Sequence, residues 1–324
     1  MRLRILLIIL SITIMSALIY FSNFNKVVSA LSRANLFYII LGISIWPIAA
    51  FIRVYRWNYS LEKIGIKVKF SSLFKVYYAG EFISHITPAK TGEVLKNFML
   101  KTSENKKVSS TLPTIIYTRV MDAFAMIFIS VLGLYFIFSY MPSMYLWFLT
   151  VIIFLSVLII SGFLIVKSDK IFRIILKRLK SIFSFIKIFR PKSRNIEIFI
   201  NNFLKSFIIF RDGKTFLLIF PISVFIWISE GVILFFAFNS IGVTLPILAT
   251  IVIIPIASLS GVFSFLPGGI GSSEMAMMIF FNSLFKITYA EVIAAALIFR
   301  FLSFWIYMFA GAIFFASIKH KYKL

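Results

Sequence analysis

The stretch Leu266-Pro-Gly-Gly-Ile-Gly-Ser-Ser-Glu274 interrupts a run that is otherwise apolar enough to be unbroken membrane helix. Proline removes a backbone donor and the glycines remove side chains, so the helix must open here. In hydrocarbon an opened backbone finds no water, and such breaks persist only inside protein or beside a wet cavity. Broken helices at membrane depth are where transporters hold their cargo. The rest of the chain reads as a frame for this break and for a second one like it.

Composition supports a membrane frame. Of 324 residues 61% are hydrophobic, 40 are phenylalanine, and mean hydropathy is +1.00. These values place the chain among helical polytopic membrane proteins. The net charge of +23 falls between the apolar runs. It therefore marks cytoplasmic loops and contact with anionic lipid head groups, and no nucleic-acid partner is expected. With no cysteine and only His85 and His320, neither thiolate nor histidine metal sites are expected, and no cofactor.

Taken in order, Ile5–Phe21 is an uncleaved first span, and Leu36–Val54 a second that ends on Arg53, Arg56 and Trp57 as an interface anchor. Tyr77–Leu100 carries Gly80, Glu81, His85, Pro88, Lys90, Gly92 and Glu93 between basic flanks, the pattern of a re-entrant hairpin. Leu112–Phe138 spans with Arg119 and Asp122 inside it, and Tyr145–Val166 returns. Lys167–Lys214 is strongly basic, with apolar residues at helical spacing, the pattern of a helix on a membrane surface or of an amphipathic linker. Phe216–Phe238 carries Glu230, Pro246–Leu266 leads into the opening motif, Ala276–Phe285 leaves it, and Tyr289–Ser317 spans with Arg300 inside. The charges put both termini in the cytoplasm of a multi-pass protein of the cell membrane.

The chain repeats itself. Pro88 and Gly92 precede Glu93, as Pro267, Gly268, Gly269 and Gly271 precede Glu274. Each glutamate lies 26 residues before an arginine, Arg119 or Arg300, and an Ile-Gly-(Ile/Val) turn precedes each hairpin at 64–66 and 241–243. The units cover 35–138 and 215–324, with a leading helix at 1–34 and a connecting span and basic segment at 139–214. The first hairpin opens from the cytoplasm and the second from outside, so the fold expected is all-α, with inverted repeats around two broken-helix hairpins.

Charges at membrane depth must pair or face water. Arg119 and Arg300 read either as a grip on an anionic head group, for which a guanidinium fork suits phosphate, or as ion-pair locks with Glu93 and Glu274. Asp122 reads as a local partner of Arg119. His85 is a hydrogen-bonding filler or a proton relay, Glu230 a supporting charge, and Lys90 puts a cation at the first tip alone.

Tyr117-Thr-Arg119-Val-Met-Asp122, the first tip and the second tip followed by Arg300 resemble the lysylphosphatidylglycerol synthase transmembrane-region family, also called flippase-like domain proteins, over about 34–316. Ala89 stands where that family's first tip has glycine. In the family's full-length synthases a soluble aminoacyl-transferase domain follows the membrane region. The resemblance here reaches only the membrane part, and the transferase activity is not carried over. It implies binding or movement of a membrane lipid with an anionic or aminoacylated head group; a rival reading is a non-transporting partner that recruits a glycosyltransferase or synthase through Lys167–Lys214. Against this stands a lipid-modifying transferase using Glu93 or Glu274 as base, for which no carboxylate cluster is visible.

Overall fold

The computed structural model describes residues 2–87, 92–140 and 212–322, with scattered positions between 146 and 209. Pro88 and Lys90, most of the expected Tyr145–Val166 span and most of the basic segment lie outside the described residues. Among the described residues the elements are helices: α1 Arg2–Phe21, α2 Phe24–Ser32, α3 Leu36–Lys63, α4 Phe70–Ile86, α5 Leu95–Glu104, α6 Val108–Tyr140, α7 Gly213–Ser240, α8 Ile247–Phe263, α9 Ser272–Phe285, α10 Tyr289–Arg300 and α11 Ile306–Tyr322. A π-helical stretch, Phe301–Trp305, joins α10 to α11. Four helical stretches have the length and hydropathy of membrane spans: Leu36–Lys63, Val108–Gly133, Gly213–Ser240 and Tyr289–Ile318. Large apolar side chains such as Phe37, Ile40, Phe51, Leu217, Ile279 and Phe309 face outward, as lipid-facing surface does.

The two copies read from the sequence correspond closely in local geometry. α3 starts at 36 and α7 at 213; α4 starts at 70 and α8 at 247, a constant offset of 177. Asn35 and Asp212 each cap the first long helix by accepting from the backbone N–H two residues on, at 2.9 and 3.1 Å. Each long helix closes on a left-handed glycine, Gly65 at φ 77° and Gly242 at φ 81°. The same pair of hydrogen bonds follows in both: Gly65 N to Glu62 O and Ile66 N to Leu61 O, Gly242 N to Asn239 O and Val243 N to Phe238 O. This is the Schellman closure, which satisfies carbonyls that a helix end leaves open.

Beyond the hairpin breaks the offset becomes 181, from Glu93 to Glu274 and from Arg119 to Arg300. The second tip is thus four residues longer than the first. α8 has 17 residues, about 25 Å at 1.5 Å per residue, so it ends at the break short of the roughly 30 Å hydrocarbon thickness. Pro255 lies inside it without ending it.

The copies also pack reciprocally. α3 lies along α7, α4 packs on α11, and α6 packs on α8. Gly311 lets α11 approach the Tyr78 carbonyl of α4, where a Cβ would come within 2.5 Å, and Gly133 lets α6 approach Val252 of α8, where a Cβ would come within 2.4 Å. α10 presents a small-residue face, including Ala290, Ala294 and Ala295, into the largest buried cluster. Close approach through small residues is how membrane helices gain packing when lipid competes for apolar contact.

No atom stands within 4 Å of a Cβ added at Gly65 or Gly242, so alanine at either site meets only backbone strain. Gly65→Ala and Gly242→Ala are each expected to destabilise by about 1 kcal/mol, and to a similar degree. Thermal unfolding of the detergent-solubilised protein checks this.

Candidate functional site

The second break shows how opened backbone is satisfied. Gly268, Gly269 and Gly271 adopt φ of 61°, 64° and 94°, which side-chain-bearing residues rarely do. The carbonyls so freed point at Arg300, whose guanidinium donates to Gly268 O at 2.7 Å and Gly269 O at 3.1 Å. It also donates to Ser273 Oγ and Glu274 Oε1, both at 2.5 Å. Glu274 Oε2 accepts from the Gly271 N–H at 2.8 Å, so one carboxylate caps α9 and neutralises the arginine. Ser272 and Ser273 hydroxyls donate to Gly269 O as well. A π-helical stretch begins at the residue after Arg300, a helix defect often found at functional sites.

At the first break, Thr87 ends α4 and its hydroxyl accepts from the Gly92 N–H at 2.7 Å. Glu93 follows in a short 3-10 turn. It binds Arg119 through both oxygens and Lys96 at 3.1 Å. Both Glu–Arg pairs expected from the 26-residue spacing are therefore present.

The two breaks meet. A Cβ on Gly268 would lie 3.7 Å from the backbone oxygen of His85, at the end of α4. His85 also packs edge-on against Phe304, with ring centroids 5.0 Å apart. Glu93, His85, Arg119, Asp122, Glu230, Gly268, Gly269 and Arg300 line one cavity of about 170 Å³. Glu274, 2% exposed, lies behind Arg300, and Gly271 abuts Ile14 of α1. Pro267 opens the 3-10 turn of the second tip.

Three cations complete the site, and the sequence reading placed them elsewhere or passed over them. Arg53 and Arg56 are not an interface anchor. α3 continues to Lys63, nine residues past Val54, and carries both into the protein. Arg56, 5% exposed, holds both oxygens of Asp122 and the Ser223 hydroxyl, the latter at 2.7 Å. Asp122 is thereby chiefly a partner of Arg56, with Arg119 more distant at 3.6 Å. Arg53 pairs with Glu230, and its guanidinium carbon sits 5.5 Å from the Tyr307 ring centroid. Lys96, on α5, bridges Glu81 and Glu93 and lies 4.0 Å from the Tyr77 ring centroid. A signal for them existed: five carboxylates in apolar segments, Glu81, Glu93, Asp122, Glu230 and Glu274, faced only two intramembrane arginines. Three further cations were owed.

The result is an unbroken alternation of charge, Glu81–Lys96–Glu93–Arg119–Asp122–Arg56, that joins α4, α5, α6 and α3. Among the described residues no group of three or more histidine, cysteine, aspartate or glutamate side chains is arranged to hold a metal. The arrangement suits an anion or a zwitterion. Removing one partner of a buried pair strands the other charge. Arg56→Met is expected to cost about 3 kcal/mol, near the low end for such losses because Arg119 remains beside Asp122. Adding Asp122→Leu to it should recover most of that loss, as read from unfolding midpoints of the single and double variants.

Residues 8–311 match the family described as lysylphosphatidylglycerol synthase TM region. A UPF0104 membrane protein of Methanothermobacter thermautotrophicus is 25% identical over 93% of this chain and 91% of its own length. One from Pyrococcus horikoshii is 26% identical over 96% of both chains. One from Methanocaldococcus jannaschii is 30% identical over 74% of this chain and 95% of its own. The chain is a membrane protein belonging to the lysylphosphatidylglycerol synthase TM-region family.

Proposed function

We propose that the protein binds a membrane lipid by its anionic or aminoacylated head group and moves it between leaflets. The observation that carries this is the convergence of both helix breaks on one charged cavity inside a frame of membrane-length helices. Such a cavity is costly to build in a membrane, and transporters place their sites where broken helices meet. Alternating arginines and carboxylates offer a phosphate a guanidinium fork and offer an amino group a carboxylate. Aromatic side chains, including Trp57, Tyr77 and Trp227, line the same space and keep the site bounded by rigid rings.

The opposite orientation that the charges lead us to expect of the two copies would suit alternating access. Basic flanks put the mouth of the first hairpin on the cytoplasmic side, and parity puts the second outside. The reading places the protein in the cell membrane with both termini cytoplasmic. No ATP-binding loop is present in the sequence, so movement runs down a lipid gradient or draws on an ion gradient. A second reading follows from the family description, which names the membrane region of a synthase. In that case the protein presents its lipid to a separate synthase or glycosyltransferase.

A dithionite-quenching assay with labelled phosphatidylglycerol in liposomes tests the first reading. Wild-type protein should speed exchange over protein-free vesicles. Ser258→Trp, which fills the cavity without removing a charge, should return it to the protein-free rate. Wild-type rates in the Ser258→Trp protein would contradict the cavity as the route.

A further inference from the structure

The two arginines stand at equivalent places in the repeat, yet their surroundings differ in a way that separates their roles. Arg300 has four oxygen partners, two of them backbone carbonyls of the break itself. Its side chain is 13% exposed. Withdrawing it would leave the Gly268 and Gly269 carbonyls less satisfied and leave Glu274 without its cation, held by neutral donors such as the Gly271 N–H and the Ser273 hydroxyl. Buried polar groups stripped of partners carry a heavy penalty. Arg300 is therefore tied to the fold of its own tip.

Among the described residues Arg119 donates to no backbone carbonyl. Its side chain is 39% exposed, and the partners found for it are carboxylates, Glu93 and Asp122. Each of these carboxylates already has a second cation. Glu93 keeps Lys96 at 3.1 Å, and Asp122 keeps both nitrogens of Arg56. An incoming anion can take the guanidinium from them without leaving either charge bare. A planar fork that gives up one carboxylate for a phosphate exchanges like for like.

We infer that Arg119 is the exchangeable anion-binding group of the cavity, taking a phosphate ester by displacing Glu93 and Asp122 onto Lys96 and Arg56, while Arg300 is a fixed lock of the second tip. The inference rests on the head-group reading above and assigns its phosphate contact to one half of the repeat. The symmetric sequence thus encodes an asymmetric site: one Glu–Arg pair opens for the ligand and the other holds the backbone. Release of Glu93 from Arg119 also loosens the link between the first tip and α6, which makes binding felt at the hairpin.

Phenylglyoxal labelling of wild-type protein in phosphatidylcholine nanodiscs, mapped by mass spectrometry, tests this without a substitution that might unfold the chain. Arg119 should react at least about tenfold faster than Arg300, and dihexanoyl-phosphatidylglycerol should slow Arg119 alone. Inorganic phosphate at equal concentration should protect less. Equal protection by phosphate would overturn the lipid as the source of the anion. Arg119→Gln should bind dihexanoyl-phosphatidylglycerol about 10- to 100-fold more weakly, the loss of charge-assisted hydrogen bonds, while keeping the wild-type unfolding midpoint within a few degrees. Arg119→Lys, which keeps the charge and loses the fork, should fall between. Protection of Arg300 instead of Arg119, or undiminished binding by Arg119→Gln, would overturn the division of roles and leave the head-group reading standing. Failure of the wild-type protein to bind the lipid at all would remove both.

Discussion

A charge held inside a membrane must find an opposite charge or water, and a backbone opened there must find a donor or an acceptor. Arg300 meets both demands in one side chain, because it neutralises Glu274 and takes up the carbonyls freed by Gly268 and Gly269. The open tip gives the buried arginine its acceptors, and the arginine gives the freed carbonyls a donor. Glu93 and Arg119 repeat the pairing at the first break, where the Thr87 hydroxyl accepts from the Gly92 N–H. The helices around them supply length, close packing and an apolar exterior, and so bring the two breaks to one place.

Much of this was legible in the residues. The breaks were visible because proline and glycine cannot continue a helix, and the Glu–Arg pairs because their spacing recurs. The helix boundaries go further, since the offset of 177 holds from the Asn35 and Asp212 caps to the ends of α4 and α8. Arg53, Arg56 and Lys96 were harder to place. A cation after an apolar run looks the same whether the helix ends there or continues, and only α3's further turns to Lys63 decide it. Lys96 stands among the basic residues of an arm that resembles a loop, yet it is 3% exposed. The π-helical stretch after Arg300 has no composition of its own, so nothing in Phe301–Trp305 announces it.

The cavity owes its character to shared carboxylates. Asp122 serves Arg56 and Arg119, and Glu93 serves Arg119 and Lys96. Each of these carboxylates therefore keeps a cation if one of its two partners is withdrawn. The second tip is longer by four residues and its carbonyl at Gly269 also accepts from the Ser272 and Ser273 hydroxyls, whereas the Arg119 side chain at the first is 39% exposed.

If both breaks face a single polar cavity, water reaches its wall inside the membrane. The chain has no cysteine, so Ser303→Cys places one thiol on that cavity wall and Ile279→Cys one on the lipid-facing surface. Their reaction with an anionic, membrane-impermeant methanethiosulfonate reagent measures the claim directly. The account predicts rapid labelling of Ser303→Cys, slowed by short-chain phosphatidylglycerol, with Ile279→Cys inert. Equal inertness of the two thiols would contradict it.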